Sequence, residues 1–198
     1  MRIRTDCFTL IISPLFFIVV TLLLTLSSDS TVIIALFSSV LHECGHLFAL
    51  MHYGSEIKSV TLSFYGMKII RENEMSLRFS KEIAVCLAGV TVNFILCFLF
   101  FFLHLFFDKT LLLKVFAVNL VLGVFNALPV YSLDGGRAVL CILKSRFEIT
   151  KCERIMKIIS ALTLIPVLAL SAFLLFNNGN FTLFLCSVYL LISSFFSE

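Results

Sequence analysis

The chain has 198 residues, the length of one domain. Its residues are 60% apolar, with 23 phenylalanines and a mean hydropathy of +1.09, against roughly 45–50% apolar in soluble domains. That balance excludes a soluble globular domain, and a net charge of +3 gives no reason to expect a nucleic-acid partner.

Residues 1–6, MRIRTD, precede an apolar run from Cys7 to Leu26. A signal peptide has an apolar core of about 7–15 residues. This run of about 20 can span a bilayer, so a retained first helix is expected, with Pro14 kinking it or marking its first turns. The polar Ser27–Ser30 then separates it from a second span, from Thr31 to Tyr53.

That second span carries the chemistry. His42, Glu43 and His46 form H-E-x-x-H. On a helix, residues four apart lie about 40° apart, so both imidazoles project from one face. Glu43 follows His42 by about 100°, within reach of a water on a metal held by the pair. Zinc takes neutral imidazoles at about 2 Å and, in catalytic sites, keeps one position open for water. A neighbouring carboxylate can act as general base. Two histidines and a glutamate in an apolar segment are costly, and point to a functional site. His46 lies about 10 Å and His42 about 16 Å along the axis before Tyr53, well inside the membrane and nearer the Gly54 end.

From Ser55 to Glu82 the chain turns polar. Val60, Leu62 and Phe64 alternate with Thr61, Ser63 and Tyr65, Gly66 interrupts, and Met67, Ile69 and Ile70 follow, which suggests a hairpin. Ser80 is expected as N-cap of the next helix, with Glu82 in its first turn. The third span, Ile83 to Phe107, contains Gly89 and Asn93. The fourth runs from Leu111 through Asn119 to Leu128, where Pro129 and Asp134-Gly135-Gly136 suggest a break. Broken backbone at that depth is tolerated only inside protein or beside a wet cavity. Lys144, Arg146, Lys151, Arg154 and Lys157 follow. The fifth span is expected at Ile155–Phe176 with Pro166 inside it. The sixth follows the turn Asn177–Asn180, at Phe181–Phe196. The fold class is therefore an all-α polytopic membrane protein: six transmembrane helices, a short interfacial hairpin and a broken fourth span. Residues 1–198 read as a single domain with a core at 31–145.

With six spans, all but Lys109 and Lys114 of the 15 basic residues fall on one side. Cytoplasmic loops carry the Lys/Arg excess, so both termini are expected in the cytoplasm. The seven cysteines form no C-x-x-C pair and suggest no disulfide framework. Cys44 lies about 200° round the helix from His42 and is not expected to bind its metal.

A catalytic zinc usually has three protein ligands. His52 lies about 15 Å along the axis from His42, too far to share its metal. His104 is a lone histidine on an apolar run, more often a hydrogen-bonded structural residue. Asp134 is the better candidate: an oxygen ligand in a broken span, before two glycines that let backbone come close.

Three motifs carry a resemblance at this point: His42–His46, the G-x-x-x-N of Gly89–Asn93, and N-x-x-P-x-x-x-L-D-G-G from Asn126 through Pro129 to Asp134. In order, over about residues 38–140, they resemble the site-2 protease family of intramembrane zinc metalloproteases. The similarity is closest to the bacterial branch that processes sporulation pro-sigma factors. The resemblance implies one zinc per chain on His42, His46 and Asp134, with Glu43 as general base. It implies that Asn93 and Asn126 lie near the substrate or oxyanion; the alternative for both is a satisfied hydrogen bond between helices. It also implies hydrolysis of a peptide bond in a transmembrane or membrane-proximal segment of a substrate protein, in a bacterial plasma membrane. Val90 and Ser132 stand where relatives often have proline, which touches loop rigidity rather than ligands. Some relatives carry a soluble regulatory domain; none is expected here, so regulation is expected from a membrane partner or the substrate. A zinc- or ion-handling transporter is the alternative, and a catalytically dead scaffold a third reading. Neither accounts for a glutamate placed inside the histidine pair.

Overall fold

A computed structural model describes residues 2–4, 9–12, 21, 29–55, 57–63, 66–71, 77–178 and 181–196. In chain order these form β1 (Arg2–Arg4), β2 (Thr9–Ile12), α1 (Ser30–His52), β3 (Ile57–Ser63), β4 (Gly66–Arg71), α2 (Phe79–Phe107), α3 (Thr110–Ala127), α4 (Asp134–Lys144), α5 (Ile149–Asn178) and α6 (Phe181–Phe196). They fall into two compact units, Met1–Leu77 with Thr91–Leu122, and Arg78–Val90 with Gly123–Glu198. The helices carry the fold, as expected. α1, α2, α3 and α5 are long and apolar enough to cross a membrane. α6 is apolar but has only 16 residues, about 24 Å of helix.

α1 shows why a bilayer, rather than water, suits this chain. Ser38, His42, Gly45, His46 and Leu50 are buried, while Ile33, Phe37, Val40, Phe48 and Met51 are exposed. The exposed residues recur at helical spacing and make one apolar stripe. Polar groups inside and hydrocarbon outside reverse the pattern of a helix in water.

Both ends of α1 are fixed by local chemistry. The Asp29 carboxylate caps the first turn, accepting from Thr31 N at 3.3 Å and Thr31 Oγ1 at 2.8 Å. It also accepts from Lys114 Nζ of α3 at 2.7 Å. That lysine bond, followed by those from Thr31, holds the Asp29 carboxyl well below the usual carboxylate range. The contact's contribution is therefore full above about pH 3.9 and is lost as pH falls towards the depressed folded value. At the other end Gly54 takes φ +73, and Ser55 N bonds Leu50 O at 3.0 Å, a left-handed helix stop. Midway, Asn119 of α3 donates to Ser38 Oγ at 3.0 Å and to Val115 O at 2.9 Å.

The first unit also holds a four-stranded sheet in the order β1-β2-β3-β4. β3 and β4 form the expected antiparallel hairpin, with Val60 opposite Ile69. The other two strands were not expected. β2 pairs parallel with β3, Leu10 against Val60, and β1 pairs antiparallel with β2. The run expected to enter the membrane as a helix at Cys7 is thus strand at Thr9–Ile12. A short apolar run fits either state by periodicity, and its threonine and two isoleucines suit a strand. Cys7 and Pro14 lie outside the described residues. α2 begins at Phe79, so Ser80 lies within the helix rather than capping it; Glu82 is in the first turn as expected.

In the second unit Val130, Leu164 and Leu190 form a buried cluster with Phe125, Leu128, Leu133 and Leu191 packed on it. Ser171 of α5 and Ser187 of α6 share a hydrogen bond at 3.0 Å, a small polar pair of the kind that joins membrane helices. α5 starts at Ile149, six residues before the expected Ile155, so its basic first turns are helical.

The Asn119–Ser38 contact should be energetically real but small. A double-mutant cycle of Ser38→Ala and Asn119→Ala, read by unfolding in detergent, is expected to give a coupling of about 0.6 kcal/mol. Strict additivity would contradict the contact.

Candidate metal centre

The i, i+4 spacing on α1 puts the two imidazoles together. His42 Nε2 and His46 Nε2 are 3.2 Å apart, with the rings edge-on at 77° and centroids 4.9 Å apart. Two nitrogens bound to one tetrahedral zinc at about 2.0–2.1 Å would be about 3.3 Å apart. Both rings are at least nine-tenths buried, His42 at 6% and His46 at 8% exposure. Glu43, the next residue along, is half-buried. Cys44 is exposed, as its angle on the helix requires. His52 is exposed at the helix end, its ring between Phe48 and Tyr53. His104 lies in the last turn of α2, with Nε2 3.9 Å from the Asp108 carboxylate.

Asp134 belongs to the second unit, and its position follows from a chain break. α3 stops at Ala127; Pro129 has no N–H to continue it. Turn bonds take over, Val130 N to Leu128 O at 2.8 Å and Leu133 N to Val130 O at 2.9 Å. Tyr131 N is held by Ser160 Oγ of α5 at 3.0 Å. Leu133 is extended and offers no side-chain cap. Asp134 is therefore the first residue of α4. The two glycines after it are required by space. A Cβ on Gly135 would overlap the Ala127 carbonyl, and one on Gly136 the Val130 carbonyl.

Asn93 is fully buried on α2, and neither atom of its amide finds a hydrogen-bond partner among the described residues. An unpaired buried polar atom costs about 1–3 kcal/mol, so such an amide calls for a use. Asn126, in the last turn of α3, is half-buried. The Ser38–Asn119 bond lies one turn before His42 and was not singled out from sequence. Its signal was present, since an asparagine inside an apolar span needs a partner.

Three comparisons bear on this centre. The profile of peptidase family M50 matches residues 108–170, which include Asn126, Pro129 and Asp134. A zinc metalloprotease of Methanocaldococcus jannaschii is 30% identical over 154 residues, 73% of this chain; the chain spans 44% of that relative's length. The solved site-2 protease from Methanocaldococcus jannaschii superimposes with a TM-score of 0.64 at 25% identity, covering 98% of this chain and 93% of that one.

The glycine requirement is testable by contrast. Gly136→Ala is expected to cost about 3 kcal/mol, through overlap with backbone that cannot give. Gly54→Ala meets no atom within 4 Å and should cost only the left-handed φ, about 1 kcal/mol. Equal shifts in the thermal midpoint of the detergent-solubilised variants would contradict this account of the break.

Proposed function

We propose that the chain belongs to peptidase family M50, the site-2 protease family, and is an intramembrane zinc endopeptidase. The observation that carries the reading is the buried imidazole pair at tetrahedral-ligand spacing on a membrane-crossing helix, with Glu43 beside it. His42 and His46 would hold the zinc and Asp134 would supply the third ligand, a two-imidazole, one-carboxylate set that suits zinc. When bound, zinc supplies a Lewis acid that polarises a carbonyl and acidifies water.

The remaining chemistry belongs to the chain. Glu43 takes the proton of the attacking water and delivers it to the leaving amine. The Asn93 amide offers hydrogen bonds to an extended substrate backbone or to the developing oxyanion, a use that would offset its cost when unpaired. Asn126 is assigned to the same substrate path. The substrate is a transmembrane or membrane-proximal protein segment, which must unwind locally because a helical carbonyl is already hydrogen-bonded and shielded. Residues 31–145 would carry the catalytic core. The basic bias would put both termini in the cytoplasm, and water would then enter from that side.

Glu43→Gln tests the assignment. The variant keeps volume and hydrogen-bonding reach but cannot accept the proton. Cleavage of a co-expressed membrane substrate is expected to fall about 10²–10⁴-fold while zinc and substrate capture persist. Near-normal cleavage with zinc in place would contradict the general-base role.

A further inference from the structure

α5 is longer than a bilayer requires. Its 30 residues make about 45 Å of helix, against a hydrocarbon core of about 30 Å. Its four charged residues, Lys151, Glu153, Arg154 and Lys157, all lie in the first nine positions, and none follows Lys157. The edge of the hydrocarbon therefore falls between Lys157 and Ile158. A shallow, open cleft of about 500 Å³, lined among the described residues by α5 alone, straddles that edge. Thr150, Glu153, Arg154 and Lys157 line its polar half; Ile158, Ala161 and Leu162 line its apolar half.

We propose that this cleft binds one acidic glycerophospholipid, with its phosphate between Arg154 and Lys157 and an acyl chain along Ile158, Ala161 and Leu162. The spacing suits such a ligand. Arg154 and Lys157 are neighbours at i, i+3, and Ile158 and Ala161 continue the same stripe about one turn deeper. Neither cation forms an ion pair among the described residues. Ile158 is 55% and Leu162 65% exposed, so the apolar half has surface to cover. Glu153 also lines the cleft, four residues before Lys157, and brings the net charge of its polar half to +1. A zwitterionic headgroup would bring its own cation towards a cleft whose net charge is already positive. An acidic headgroup would not. A basic residue near an acidic membrane surface is worth about fivefold in attraction.

The test is native mass spectrometry of the purified full chain titrated with phosphatidylglycerol or phosphatidylcholine. The wild type is expected to bind phosphatidylglycerol about tenfold more tightly. Arg154→Gln with Lys157→Gln should abolish that preference. Ala161→Trp, which keeps every charge but fills the cleft, should abolish it too. Lys144→Gln with Arg146→Gln removes the same charge elsewhere and should leave it intact. Millimolar inorganic phosphate should not displace the lipid. Equal binding of the two lipids overturns the proposal. So does equal loss in the Lys144/Arg146 control, which would mean diffuse surface charge, or displacement by phosphate, which would mean a free-anion site. A dimer in the wild type that Ala161→Trp dissociates would make the occupant a second copy of the chain.

Discussion

Two buried imidazole nitrogens 3.2 Å apart have two ways to avoid a penalty: share a proton, or share a cation. Glu43 and the apolar setting of α1 favour the second. A proton needs only one donor and one acceptor, and gives no reason for a carboxylate between the two rings in sequence. A zinc ion needs neutral imidazoles at this separation, a base beside its water, and surroundings that keep bulk solvent out. The helix supplies that setting by turning its apolar stripe outward and its polar residues inward.

The pair is useful only if α1 is held in register, and the first unit does this at three levels. Asp29 and Lys114 tie the helix start to α3, Asn119 ties its middle through Ser38, and Gly54 stops it two residues past His52. None of these contacts is strong by itself. A buried interhelical hydrogen bond in a membrane protein is worth about 0.6 kcal/mol on average. Their effect is to remove rotation and sliding that would move the two nitrogens away from ligand geometry. In the second unit the same logic acts on backbone: a proline ends α3, a serine of α5 holds the turn, and two glycines admit carbonyls where any side chain would collide.

Much of this was legible in the sequence, for reasons that differ by element. The histidine pair was readable because i, i+4 spacing fixes two side chains on one helical face whatever the packing. The break before Asp134 was readable because Pro129 and two glycines leave few backbone options. The hairpin followed from period-2 alternation around Gly66. The strand at Thr9–Ile12 was not readable, since an apolar run next to a longer apolar run carries no period, and only pairing with β3 decides it. The start of α5 was misplaced because Lys151 and Arg154 look like loop residues, although a membrane helix can extend past the hydrocarbon with its charges in water. Asn119 was visible as a costly residue, but its partner Ser38 is 81 positions away.

Zinc K-edge absorption of the purified full chain, with its metal content, tests the central claim most directly. One zinc per chain is expected, with two imidazole nitrogens at about 2.0–2.1 Å and a carboxylate oxygen at about 2.0–2.2 Å. His46→Ala should lose one nitrogen from that shell and most of the metal. A chain purified without zinc that takes none up, or a His46→Ala protein with unchanged zinc content and coordination, would contradict the account.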